Sequence, residues 1–157
     1  MVGNPVQGNI GAAGANVAGE FEKVRELVAN LKEDYNTLHE KARNIASNIK
    51  INSTKLRKFY NHVKKIEVSG LAETDVEKIL KRELNKFLAV LLYDVGREER
   101  NQEQLKELAE GMKKVVDVVK QKNGAEIKKA YNLFTDFFEA LVAYHKYYEA
   151  MNNSRSR

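Results

Sequence analysis

Residues Glu20–Ile49 read EFEKVRELVANLKEDYNTLHEKARNIASNI, with apolar side chains at Val24, Val28, Leu31, Tyr35, Leu38, Ala42, Ile45 and Ile49. The steps alternate between four and three. A seven-residue repeat kept over such a stretch holds one apolar seam toward a neighbouring helix, so it predicts a single long helix of a bundle or coiled coil. With further helices in the same chain to pack against, an intramolecular bundle is the simpler use of the seam. Self-association through it is the alternative.

Helical periodicity continues downstream. Asn52 to Thr54 are residues that accept backbone hydrogen bonds at a helix start, and a second helix is expected from there to about Glu67, with Leu56, Phe59, Tyr60, Val63 and Ile66 facing inward. Ser69-Gly70 breaks it. Thr74 with Glu77 reads as a capping box opening a third helix through Val95. Its segment Phe87 to Tyr93 is apolar all round, which predicts enclosure on several sides and makes this the expected central helix. Asn101 can cap a fourth helix from Gln102 to about Lys122, striped by Leu105, Leu108, Met112, Val115, Val116 and Val119. Asn123-Gly124 supplies the stop. A fifth helix, about Ala125 to Met151, aligns Ile127, Tyr131, Phe134, Phe138, Leu141 and Tyr148. Such an aromatic stripe reads as core, since burying each ring stabilises a fold by about 1.5–3 kcal/mol. Tyr147 and Tyr148 cannot both point inward, and Tyr147 is the candidate for the surface.

No segment reads as a strand. The expected fold is all-α, a single-domain bundle of about five helices over residues 20–151. Residues 1–19, MVGNPVQGNIGAAGANVAG, hold five of the nine glycines and the only proline and carry no ionisable side chain, so they read as a flexible tail. Residues 152–157 read as a disordered C-terminal tail.

Composition excludes several chemistries. The 157 residues contain no cysteine, which removes disulfides, thiolate metal sites and cysteine nucleophiles and suits a reducing, cytoplasmic setting. The run Phe87 to Tyr93 is the longest apolar stretch, far below the roughly 20 residues that span a bilayer, so no membrane partner is expected. None of the three histidines, His39, His62 and His145, has a second histidine at zinc-helix spacing. Three places before them stand Asn36, Phe59 and Val142, not the glutamates of a bundle di-iron site. No serine sits in a recognisable nucleophile elbow. Neither a catalytic residue nor a metal or other cofactor is expected, and no small-molecule substrate. His145 has three readings, in descending order a core histidine with one hydrogen bond, a surface contact and a general base.

Charge is more informative. The chain carries 27 Lys and Arg against 22 Asp and Glu, a net +5. Between Glu40 and Glu67 lie Lys41, Arg43, Lys50, Lys55, Arg57, Lys58, Lys64 and Lys65 with no acid among them, which leaves 19 basic groups against all 22 acids elsewhere. The basic character belongs to one segment. On the second helix Lys55, Lys58, His62 and Lys65 align along one face, with Arg57, Asn61 and Lys64 in a neighbouring row. A solvated helix face ordinarily alternates sign, and this one does not. One sign of charge beside the amides Asn48, Asn52 and Asn61 fits a surface that follows a nucleic-acid backbone. An anionic membrane surface and an acidic protein partner are the competing readings; the membrane would need large apolar side chains that the core uses.

The segment Ile51-Asn-Ser-Thr-Lys-Leu-Arg-Lys-Phe-Tyr-Asn-His-Val-Lys-Lys-Ile66 resembles the signature of the small helical subunit of type III-A CRISPR effector complexes, the Csm small subunit. Leu92-Tyr93-Asp94-Val95-Gly96-Arg97 resembles the Tyr-x-x-Gly-Arg end of that family's apolar helix, and Phe134 to Lys146 is similar to its C-terminal helix. The resemblance implies a non-catalytic subunit that assembles in more than one copy along guide RNA and target RNA, beside the other subunits of an antiviral ribonucleoprotein. It further implies contact with backbone phosphates without reading of bases. Carried onto the matching positions, Lys55, Arg57 and Lys58 are the leading RNA contacts, followed by Lys64, Lys65 and then Arg97. The bland alternatives are an ion pair anchoring the second helix for Arg57 and a cation at a helix C-terminus for Arg97. A scaffold whose basic stripe docks an acidic protein, and an unrecognised hydrolase, are the readings from other functional classes.

Overall fold

The computed structural model describes residues 13–156, and among them the chain forms six α-helices and no strand. They are α1 (Ala13–Ala29), α2 (Tyr35–Ala46), α3 (Ser53–Lys64), α4 (Glu73–Arg97), α5 (Gln102–Gln121) and α6 (Gly124–Ser156). The all-α, single-domain expectation holds. The single long first helix does not, because the chain turns between α1 and α2. Leu31 adopts a left-handed backbone at φ 51°, with Lys32 N–H donating to the Leu27 carbonyl at 2.9 Å and Leu31 N–H to Val28 at 3.1 Å. That is a Schellman stop built without glycine. Asp34 then caps α2, accepting from Thr37 N–H at 3.1 Å and from the Thr37 hydroxyl at 2.7 Å. The heptad seam survives on both sides of the turn, with Val24, Val28, Leu38, Ala42 and Ile45 buried, while Tyr35 at the junction is 45% exposed.

Two ends also differ from expectation. Helix α1 begins at Ala13, and Val17 is buried, so part of the glycine-rich segment assigned to a tail is structured. Residues 1–12 lie outside the described residues. At the other end α6 runs through Ser156, taking in most of the expected tail 152–157. In α4 the cap is Ala72, with no side-chain hydrogen bond, in place of Thr74. Glu77 turns instead to the start of α6, accepting from Gly124 N–H at 3.1 Å.

The central helix is α6, not α4. It touches each of the other five, carrying the buried rings of Tyr131, Phe134, Phe137 and Phe138 through the middle of one continuous apolar core. Phe87 of α4 meets Phe134 and Phe138 with ring centroids 6.3 and 6.0 Å apart. Only one side of the apolar run in α4 is used in this way. Phe87, Leu88 and Leu91 are buried, whereas Ala89, Val90, Leu92 and Tyr93 face outward. The most extensive helix pairing is α1 with α5, where a side chain at Gly111 would enter the ring of Phe21.

Candidate nucleic-acid interface

Helix α3 is fixed at both ends by its neighbours. Its N-terminal amides are satisfied by Asn52, which accepts from Thr54 and Lys55 N–H at 2.7 and 3.2 Å. The Glu149 carboxylate of α6 takes Ser53 N–H at 3.1 Å and the Ser53 hydroxyl at 2.6 Å. These bonds, the hydroxyl of Ser53 foremost, hold the Glu149 carboxyl below the usual carboxylate range. At the other end the Tyr131 hydroxyl, buried and with its pKa raised to about 12 by desolvation, donates to the Val63 carbonyl at 2.9 Å. Leu56, Phe59, Tyr60 and Val63 face the core, as their spacing predicts.

The outer side of α3 is thereby turned to solvent with its cations. Arg57, Lys58, Lys64 and Lys65 are exposed, and none has a carboxylate partner among the described residues. Lys64 lies 5.7 Å from the centroid of the Tyr60 ring, a weak tether. Arg57 therefore does not anchor the helix by an ion pair. Two of the residues expected at the site are engaged within the fold. Lys55 is only half-exposed and its ammonium sits 2.6 Å from the Glu98 carboxylate, at the end of α4. Arg97, in the last turn of α4, bonds the buried Asp94 carboxylate through Nε at 2.9 Å and keeps its outer nitrogens in solvent. The other cations of the segment are dispersed. Lys41 pairs with Glu20 at 3.3 Å, Arg43 lies against the Tyr144 ring at 5.4 Å, and Lys50 is exposed in the linker before α3.

Helices α3 and α4 run antiparallel. Lys55 meets Glu98 at one end, and at the other His62, Lys65, Ile66 and Glu67 share a cleft with Ile79, Arg82 and Glu83. The cationic row of α3 consequently borders the outer face of α4. A family model described as Csm2 Type III-A matches residues 32–151, spanning α2 to most of α6 and including every one of these side chains. The chain belongs to that family. Csm2 proteins are small subunits of the type III-A CRISPR Csm complex. No curated protein and no solved structure matches the chain.

Within this Csm2 protein the outer face of α4 joins Arg97, already expected at the site, to Arg82, Lys86, Val90 and Tyr93, which the sequence pattern did not assign to it. Arg82, Lys86, Val90, Tyr93 and Arg97 follow one another along it, the cations Arg82 and Lys86 sharing the single Glu83 carboxylate at 3.0 and 3.6 Å. The i, i+4 spacing of Arg82 with Lys86 and of Tyr93 with Arg97 was the available signal, obscured by the expectation that α4 is enclosed. His145, the third histidine of the chain, is 3% exposed against the linker before α3, which makes it a core histidine, although its buried Nδ1 has no hydrogen-bond partner among the described residues. Burial pushes its pKa below the ordinary imidazole value, against the opposing pull of Glu149 and the carbonyls of Ile49 and Ile51. Among the described residues no group of three His, Asp or Glu side chains converges as a metal site would require.

Proposed function

We propose that this Csm2 protein is a non-catalytic, RNA-binding subunit of a cytoplasmic type III-A CRISPR ribonucleoprotein. In this reading it lies along guide RNA and target RNA, contacts further copies of itself and the other subunits, and supports the effector filament in antiviral defence. The observation that carries the RNA contact is the group Arg57, Lys58, Lys64 and Lys65, exposed on one side of α3 without an acidic partner among the described residues. Holding like charges together raises the energy of the free protein, and a phosphate backbone relieves it while releasing counterions. Flexible ammonium heads on a rigid helix suit phosphates and carry no base code, so contact by this face is independent of sequence. Lys55 and Arg97 stand at its edge, each already held by a carboxylate; Lys55 is occupied in holding α3 to α4, and Arg97 keeps its outer nitrogens available.

The test is an assembly of the full chain with its partner subunits, in which Arg57, Lys58 and Lys65 are replaced together by Glu while circular dichroism reports intact helices. The reading expects the protein subunits to associate and RNA affinity to fall at least tenfold. Unchanged RNA affinity would sink it. Loss of subunit association with RNA affinity retained would instead favour an acidic protein as the partner of the stripe.

A further inference from the structure

Among the described residues Tyr93 is the most exposed of the large hydrophobic side chains, at 69%, and its ring does nothing for the core. It stands on the outer face of α4 with exposed Val90 and Leu92 beside it. Its surroundings are ordered. The Arg97 guanidinium lies over the ring, 5.6 Å from its centroid, and is held there by the 2.9 Å bond from Nε to Asp94. Asp94 is itself only 4% exposed, so the anchor of the pair belongs to the core. The outer guanidinium nitrogens have no partner among the described residues.

Gly96 completes the arrangement. It lies one turn from Tyr93 inside α4, and a Cβ built there would meet nothing within 4 Å. Glycine inside a helix costs stability relative to alanine, and the space at this position shows that the fold does not require it. What glycine does leave is bare backbone beside an exposed ring, room for a flat ligand. At this end of α4 the charges are paired, Arg97 with Asp94 and Lys55 with Glu98. Arg97 lies on one side of the ring, and the Lys55–Glu98 contact joins this end of α4 to the first turn of α3, with Arg57 and Lys58, without a carboxylate partner among the described residues, in the turn that follows.

We propose that Tyr93, Arg97 and the bare surface at Gly96 form a site for one unpaired nucleotide, its base stacked on the Tyr93 ring and its phosphate on the Arg97 guanidinium. The site rests on the RNA-binding reading above and adds a contact to a base, which the α3 cations do not supply. Stacking accepts any base, since each has a π-face, so the site distinguishes unpaired from paired nucleotides and not one sequence from another.

The test compares the full-length chain with Tyr93→Leu, Tyr93→Phe and Gly96→Ala on two RNA probes, a single strand carrying 2-aminopurine and a fully paired duplex. Tyr93→Leu should weaken single-strand binding by about 5- to 150-fold, the span expected for one stacked base, and leave duplex binding and the salt slope unchanged. Tyr93→Phe should retain both the affinity and the 2-aminopurine quenching. Gly96→Ala should raise the melting temperature and yet weaken single-strand binding, a divergence that a purely structural glycine would not give. Equal binding of the single strand by wild type and Tyr93→Leu overturns the nucleotide site alone. A loss of self-association in that variant with RNA affinity unchanged would assign the ring to a protein contact and overturns it as well. A wild-type chain that binds neither probe overturns both this site and the reading on which it rests.

Discussion

The Lys55 ammonium lies 2.6 Å from the Glu98 carboxylate and ties the first turn of α3 to the end of α4. The hydrogen bond from Lys55 lowers the Glu98 pKa, with the lysine charge adding to it. Lys55 is thus occupied within the fold, although its place in the sequence makes it a leading RNA contact. Replacing Lys55 by Gln should lower the melting temperature slightly and leave the slope of log affinity against log salt nearly unchanged. Arg57→Gln and Lys58→Gln should each reduce that slope by about 0.7 on single-stranded RNA and leave the melting temperature in place. Fluorescence anisotropy over a salt series, with thermal melts of the same samples, separates the two behaviours.

The apolar seam of residues 24–49 is core on both sides of the Leu31 turn. Leu38 is fully buried, and Leu38→Ala should cost about 2–5 kcal/mol in urea unfolding without changing the mass measured by light scattering. A variant that alters the oligomeric state and keeps its stability would return the seam to self-association.

Acid sensitivity has two separable sources beside the start of α3. His145 is held neutral by burial, its pKa below 6.5, so the unfolded chain takes up a proton there that the folded chain refuses. Its contribution is complete above the ordinary imidazole range, and stability is lost as pH falls from about 6.5 toward the lower folded value. Glu149, held down chiefly by the Ser53 hydroxyl, keeps its contribution above 4.5 and loses it only below that. His145→Gln should therefore flatten the fall in unfolding free energy between neutral pH and about pH 5, and Glu149→Gln should not. Equal slopes for wild type and His145→Gln would contradict the assignment.

The sequence states the fold where side chains act locally and obscures it where they act through distant partners. Asn52 opens α3 as its position implies, the α5 stripe from Leu105 to Val119 is buried throughout, and Tyr147 points outward. The break after α1 is hidden because Leu31 takes the left-handed conformation that glycine ordinarily marks, at a cost of about 1–2 kcal/mol. The spacing of Asp34 and Thr37 was the only local sign of a new helix start. The capping box at Thr74 fails because Glu77 has a better use, the backbone of Gly124, 47 residues away. At the candidate interface the excess of positive charge was legible as a sum along the segment. Its division into free and engaged cations was not, since Glu20 and Glu98 reach Lys41 and Lys55 through tertiary packing, whereas the Asp94–Arg97 pair on α4 is a local i, i+3 contact. The exposure of Tyr93 was hidden for a related reason. An apolar run predicts burial on average, and α6 covers only one side of it.

The cations on the outer side of α3 are assigned above all to RNA phosphates. The most direct measurement of that role is the salt dependence of single-stranded RNA binding by the full chain and by the variant with Arg57, Lys58 and Lys65 all changed to Gln. Removing three cations that each neutralise one phosphate should lower the magnitude of the log–log slope by about 2 while the circular dichroism spectrum stays the same. A slope identical to that of the wild type, with helices intact, would contradict the account.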